Sequence, residues 1–418
     1  MNRVQLQDAV AAALRETAEI IAAWGPRLTG SKASANAAAR LSEELDSFCD
    51  STTLEPFTVH PGAFLGWIRI LVVLYAASLT LLWAGKPGIA AVLTTAGVAV
   101  MVLQFFLYRA LLDPFYPKRT AYNVSGTIEP VGEVRQQVLI TGHHDSARIF
   151  NFFIHQPSWY PIRVMGGIGS VGAMMLTAWG AFATGAGSSP ARSVWLITIY
   201  ALLTAALAIV LQLWFFVSSP SRGTPGAGDN LAASCAAVEM GRWAAGLKKE
   251  GAGLKHTRVI IVSFDAEEAG LRGARAYARS HRGELSAVPT WNINADCLYD
   301  ADSLFFLTSD VNGSVRLSEE LADTLAEISR ENGFKAAVRP IAFLTGGTDA
   351  AELARIGVTA TTMMGMPWGN SSRSSVYHTP QDTVEAVDSR TIEAFLLTAS
   401  AFTARIDSDL TTGDGDNG

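Results

Sequence analysis

The chain has 418 residues, of which 49% are hydrophobic and only 17% charged, and its mean hydropathy is +0.23. It is longer than one ordinary domain and more apolar than a typical soluble one. A net charge of −6 with no lysine-arginine block excludes a nucleic-acid surface. Cys49, Cys235 and Cys297 form no C-x-x-C pair, so neither a disulfide framework nor a thiolate metal site is expected, and a reducing compartment is the simpler reading.

At the N-terminus Val4, Leu6, Val10, Ala13, Leu14, Ala18 and Ile21 recur at helical spacing, which predicts an amphipathic helix. Asp8, Arg15, Glu16 and Glu19 interrupt any apolar h-region, so no signal peptide is expected. Four later stretches are almost free of charge: 63–84, 87–108, 164–191 and 193–221. Each can cover a bilayer core, which takes about 20 residues. Trp67, Trp83, Trp195 and Trp214 lie near their ends, where indoles prefer the interface. Two membrane hairpins with very short turns, GK and R, are therefore expected, and a lipid bilayer as partner; the bland alternative is two greasy hairpins buried in a large core.

Removing the hairpins leaves a remainder that alternates strands and helices. AYNVSGTI, QQVLIT, RVIIVSF, TWNINA, SLFFLT and VTATTMM read as strands; Asn230–Lys249, Gly270–Arg279, Leu317–Asn332 and Ser389–Ile406 read as helices. Such alternation predicts an α/β fold, a mixed, largely parallel central sheet flanked by helices. The expected organisation is one α/β domain in three pieces (1–62, 114–162 and 219–410), hairpins at 63–113 and 163–218, and a disordered tail at 411–418.

Polar clusters fall where strands end or helices begin: GHHDS after QVLIT, DN after SRGTPGAG, DAEEAGL after RVIIVSF, DCL after TWNINA, and YHTPQDT. In open α/β sheets those ends form the ligand crevice. Imidazoles and carboxylates without thiolate are ligands for a hard-to-borderline metal, and a set of this size can serve two Zn²⁺ ions that share a water. Asp145, two residues past His143, is placed to accept the other ring N–H and fix its tautomer. Singly, each residue has a plainer reading: His378 a hydrogen-bonded structural histidine, Asp229 a helix N-cap, Glu267 and Glu268 a solvated turn, Asp296 a strand-end turn residue. His144 is assigned no ligand role, and Ser146 lacks a G-x-S-x-G elbow.

In this order GHHDS, GAGDNLAAS, DAEEAGLRGARAYA, NADCL and YHTPQDT resemble the motifs of the co-catalytic di-zinc exopeptidases, metallopeptidase family twenty-eight, with WGPRLTGSKASANAAARLSEEL similar to that family's N-terminal region. The resemblance runs from Ala22 to Thr403, outside the hairpins. It implies a zinc-exopeptidase fold with an eight-stranded mixed sheet. It also implies one zinc on His143, Asp229 and Asp296, and a second on Asp229, Glu268 and His378. Glu267 would be the general base, Tyr377 would steady the substrate carbonyl, and Asp349 of TGGTDA would support the site. The sequence departs from the family at DNLAAS, where a serine-glycine pair is usual, at NADCLYD, which lacks the usual methionine and glycine, and at both hairpins. The implied activity is a membrane-bound aminopeptidase acting on peptides. A glutaminyl-cyclase-like enzyme with one zinc and a non-catalytic receptor or scaffold are the alternatives; a transporter fits less well, because the spans carry almost no midplane charge. Oligomeric state is left open, a dimer included. Arg109, Lys118, Arg119, Arg148, Arg163 and Arg222 flank the spans on the domain side against Lys86 and Arg192 in the turns, so the domain is expected on the cytoplasmic side of the membrane.

Overall fold

In the computed structural model, which describes residues 1–189, 192–219, 221–368 and 375–413, the chain divides into two compact units. One comprises Met1–Pro61, Lys118–Ile149 and Pro220–Gly418; the other comprises Gly62–Pro117 and Phe150–Ser219.

The first unit holds the strands β1 (Ser51–Val59), β2 (Arg119–Ile128), β3 (Gln136–His143), β4 (Thr257–Phe264), β5 (Thr290–Leu298), β6 (Leu304–Asp310), β7 (Val315–Arg316), β8 (Ala336–Pro340) and β9 (Thr359–Gly365). They form one mixed sheet in the order β1-β2-β4-β3-β5-β9-β6-β7, with β8 on β6. Its four central strands, β4, β3, β5 and β9, run parallel. Burial on both faces explains the apolar runs of β3 and β4: every residue of β3 is buried, and Val138, Ile140, Val259 and Ile261 share a core with the helices and with Ile293 of β5. The sheet has nine strands where eight were expected. Three were not legible in the sequence. β1 is an edge strand with Pro56 inside it and a mostly exposed face, β7 is two residues long, and β8 is partly exposed throughout.

The helices are α1 (Arg3–Trp24), α2 (Lys32–Asp46), α3 (Ala63–Trp83), α4 (Pro87–Met101), α5 (Asn151–Ile154), α6 (Tyr160–Ala183), α7 (Val194–Leu213), α8 (Ala232–Lys249), α9 (Arg272–Ser280), α10 (Arg282–Leu285), α11 (Glu319–Glu331), α12 (Ala350–Ala354) and α13 (Ser389–Gly413). All but α3–α7 flank the sheet's own unit. A capping box at Asn2 and Gln5 starts α1. The last helix, α13, runs three residues into the stretch read as a disordered tail, helped by the Thr411 hydroxyl donating to the Asp407 carbonyl at 2.9 Å; residues 414–418 lie outside the described residues.

The second unit contains α3–α7, and four of its helices are long and apolar enough to cross a membrane: Ala63–Trp83, Pro87–Phe106, Pro157–Ala183 and Val194–Leu213. Hydrogen bonds stitch them together, including Tyr75 Oη to the Leu203 carbonyl (2.8 Å) and the Trp83 indole to Thr204 (3.1 Å). Helix α6 begins at Tyr160 and stops at Ala183, so the connection to α7 spans ten residues and not the single arginine expected. Gly185, at φ +67°, takes the left-handed conformation that ends α6. The aromatic run ahead of α6 also belongs to this unit, with Phe150, Phe152 and Tyr160 all packed on Phe216.

Candidate metal centre

Five segments meet at the carboxyl ends of the central parallel strands, the crevice of an open α/β sheet. His143 is the last residue of β3, Glu267 and Glu268 follow β4, Asp296 lies near the end of β5, His378 follows β9, and Asp229 sits in the turn before α8. All four central strands therefore deliver at least one group.

The donor atoms gather in two trios. One ligand-type atom each from His143, Asp229 and Asp296 lie within 4.8 Å of one another, and so do those of Asp229, Glu268 and His378. Asp229 belongs to both. One of its oxygens is 3.3 Å from His143 Nε2 and the other 2.9 Å from His378 Nε2. It does not cap α8, whose N-cap is Leu231 with no side-chain bond. Glu268 approaches His378 Nε2 at 3.4 Å, and Glu267 reaches only to 3.9 Å from His143 Nε2. Tyr377 stacks on His378, ring centroids 3.9 Å apart.

Asp145 holds the first trio from behind. Its carboxylate lies 3.3 Å from His143 Nδ1 and accepts from the Thr29 hydroxyl at 2.7 Å. It also accepts the backbone N–H groups of Glu267 (3.2 Å) and Glu268 (3.4 Å). One buried carboxylate thus fixes a histidine ring and the acidic loop together. The loop closes on itself as Gly270 and Leu271 donate to the Glu267 carbonyl, both at 2.8 Å. Gly273 opens α9 under it; a Cβ there would fall 1.9 Å from the Asp265 carbonyl oxygen.

His144 points away, fully buried, its Nδ1 2.8 Å from the Ser263 hydroxyl; burial pushes it down to about 3, so it stays neutral. Asp349 is buried with neither carboxylate oxygen hydrogen-bonded, and burial, with Asp145 and Asp296 nearby, pushes it well above the usual range.

Three further residues were not singled out from sequence. Arg27, fully buried, donates through Nε to the His144 carbonyl (2.8 Å) and through its Nη atoms to the carbonyls of Pro225 and Gly226 (both 2.8 Å). Burial lowers it to about 10, so it remains charged. Thr29 serves Asp145, and Asp382 serves the Asp229 turn. Arg27 and Thr29 lie in an irregular link between helices, where no periodicity marks a buried position.

Electrostatics match a cation site. Burial opposes charge on every member, yet contacts with Asp145 and Asp229 hold His143 well above its ordinary value, and Glu268 and Asp229 raise His378 to about 9. Burial likewise opposes ionisation of Asp229, but its contacts with His143 and His378 hold it well below the carboxylate range. Burial and Asp229 push Asp296 up to about 7, and burial raises Glu267 and Glu268. His143 Nε2, one Asp229 oxygen and one Glu268 oxygen are buried without a hydrogen bond of good geometry. Buried polar atoms converging in this way are satisfied by a metal, and a nitrogen-and-oxygen donor set fits zinc.

Residues 215–403 match the model of peptidase family M28. No curated protein matches the chain by sequence. Among solved structures the chain is similar to a Zn-dependent exopeptidase from Parabacteroides distasonis (14% identity, TM-score 0.55, covering 94% of this chain and 97% of that one). It is also similar to a zinc aminopeptidase from Bacillus subtilis (14%, 0.56, 94% and 95%) and a glutaminyl cyclase from Bacteroides thetaiotaomicron (11%, 0.54, 93% and 95%). At these identities the likeness is one of fold, the zinc-exopeptidase fold.

Proposed function

We propose that this chain is a membrane-anchored, zinc-dependent aminopeptidase that removes N-terminal residues from peptides. The observation that carries the reading is the position of Asp229, whose two oxygens face a histidine from each trio. A carboxylate so placed would serve both trios at once, which would call for two metal ions.

In this reading His143, Asp229 and Asp296 hold one zinc ion, and Asp229, Glu268 and His378 the other. Two such ions supply Lewis acidity, lowering the pKa of a shared water and polarising a carbonyl. The protein's own groups do the rest. Glu267 belongs to neither trio, lies beside both, and is kept avid for protons by burial; it takes the water's proton and returns it to the leaving amine. Asp145 orients His143, Tyr377 steadies the carbonyl oxygen, and Asp349, at the N-terminus of α12, supports the site. The four apolar helices anchor the enzyme in the bilayer.

Metal analysis of the full-length protein, paired with a panel of aminoacyl chromogenic substrates, tests this. Two equivalents of zinc and release of the N-terminal residue are expected. A single equivalent, with cyclisation of N-terminal glutamine in place of hydrolysis, would establish the second reading, a glutaminyl-cyclase-like enzyme, which the shared fold supports. Absence of tight zinc would leave a non-catalytic scaffold.

A further inference from the structure

Asp382, the acidic residue of YHTPQDT, makes no side-chain hydrogen bond within its own loop among the described residues. Its oxygens cross to the turn that carries Asp229: Oδ1 accepts from the Gly228 N–H at 2.8 Å and Oδ2 from the Asp229 N–H at 3.4 Å. Its backbone carbonyl accepts from the Ala227 N–H at 3.2 Å. One residue therefore takes three successive amides, more than 150 positions away in sequence. The carbonyl side of the same turn is held by Arg27, which donates to Pro225 and Gly226. Gly228 has no room for a side chain, since a Cβ there would lie 2.2 Å from the Tyr299 ring. Asp382 is fully buried, so water cannot substitute for it.

We infer that Asp382 is a positioning residue of the metal centre, setting the backbone of the bridging Asp229 and its spacing from His378. The inference rests on the reading of the two trios as a zinc site. His378 lies four residues before Asp382, so gripping Ala227, Gly228 and Asp229 ties the bridging carboxylate to the loop of its own histidine partner. Small rotations of that turn would move both Asp229 oxygens at once, which now lie 3.3 Å and 2.9 Å from the two histidines. Groups that orient ligands in this way govern metal affinity without touching the metal.

A matched control exists in the same unit. The Asp407 side chain takes three successive amides, those of Lys255, His256 and Thr257 (2.8, 2.8 and 2.9 Å), where that of Asp382 takes two, and it does so at the start of β4, at the opposite end of that strand from the site. If gripping amides matters only for folding, the two aspartates should behave alike. The test measures zinc affinity of the full-length, detergent-solubilised protein by competition with a chromogenic chelator, for wild type, Asp382→Asn, Asp382→Ala and Asp407→Asn. Asparagine is nearly isosteric and keeps one acceptor, but it turns an amide N–H₂ toward a backbone N–H, so it weakens the grip without removing the side chain. Asp382→Asn should lose about tenfold in affinity or more, Asp382→Ala at least as much, and Asp407→Asn should bind zinc as wild type does. Equal affinity in wild type and Asp382→Asn, or an equal loss in Asp407→Asn, overturns the inference. Failure of the wild-type protein to take up zinc would instead overturn the functional reading beneath it. Circular dichroism of each variant keeps misfolding from being counted as lost affinity.

Discussion

Glu267 and Glu268 are adjacent, similarly buried and chemically identical, yet they face different tasks: Glu268 approaches His378, whereas Glu267 lies in neither ligand trio. Replacing each by glutamine separates proton transfer from ligation. Glu267→Gln should keep both zinc ions and lower kcat by roughly 10²-fold or more, while Glu268→Gln should lose metal. Comparable metal loss in the two variants, measured by elemental analysis, would mean that the roles are reversed. The histidines give a second prediction. Without metal, His378 is held up to about 9 by Glu268 and Asp229, against the pull of burial, and His143 is raised by Asp145 and Asp229. His378 therefore carries a proton at neutral pH and His143 is biased the same way, and ligation requires such protons to leave. Zinc uptake at pH 7 should release protons, and apparent affinity should climb as pH rises toward about 9. Calorimetric titration in two buffers of different ionisation enthalpy reads this directly; uptake with no proton release would count against the two histidines as ligands.

At the scale of elements, β1 is fastened to α10 by His281, whose Nε2 lies 2.7 Å from Glu55 and whose Nδ1 lies 3.1 Å from Glu284. The bond to Glu55, opposed by partial burial, raises the folded-state pKa of His281. A raised folded value means that the stabilisation is fully present below the unfolded pKa, about 6.5, and is lost as pH rises through the folded value. His281→Gln should therefore cost more stability at pH 6 than at pH 9. The difference should not exceed about 1 kcal/mol, because the pair is partly solvated. Identical losses of Tm at both pH values would dispose of the idea. This clamp also marks the limit of what could be read from the amino acids. Central strands β3 and β4 were legible because burial on both faces leaves unbroken runs such as QVLIT and VIIVSF, and the candidate ligands His143, Glu267 and Glu268 stood out because their motifs follow those runs. β1 was not, since its pattern is that of an exposed edge, and its clamp pairs residues 226 positions apart. Arg27 and Thr29 were hidden for a related reason: they lie in the irregular link between α1 and α2, and their partners, the His144 carbonyl and the Asp145 carboxylate, are more than 100 positions away. Asp382 was seen as part of a motif, but its task depends on amides that only the fold brings near.

At the scale of the whole molecule, the proposed membrane anchoring carries a prediction about sidedness. The four apolar helices come in two pairs, and if each pair crosses a membrane it returns the chain to the side it left. All three pieces of the sheet-bearing unit must then share that side, as assembling His143 with Asp229 across the second pair also demands. Positive charge near membrane spans stays cytoplasmic, and the balance is uneven. Arg109, Lys118, Arg119, Arg148 and Arg222 lie outside the spans and Arg163 near the start of the third, all toward the ends that join the sheet-bearing unit, against Lys86 and Arg192 in the connections within the two pairs. The metal centre is thus predicted to face the cytoplasm and to trim peptides there. In intact cells a membrane-impermeant thiol reagent should modify a cysteine introduced by Gly85→Cys or Ser188→Cys, in the two connections, and should fail to modify Glu250→Cys, exposed just past α8. The native thiols set the background: Cys235 and Cys297 are buried and Cys49 partly so, which makes the wild-type signal the reference for each variant. Permeabilised cells supply the positive control, since Glu250→Cys must become reactive once the membrane is opened. Labelling of Glu250→Cys before permeabilisation, with the two connections silent, would place the centre outside the cell.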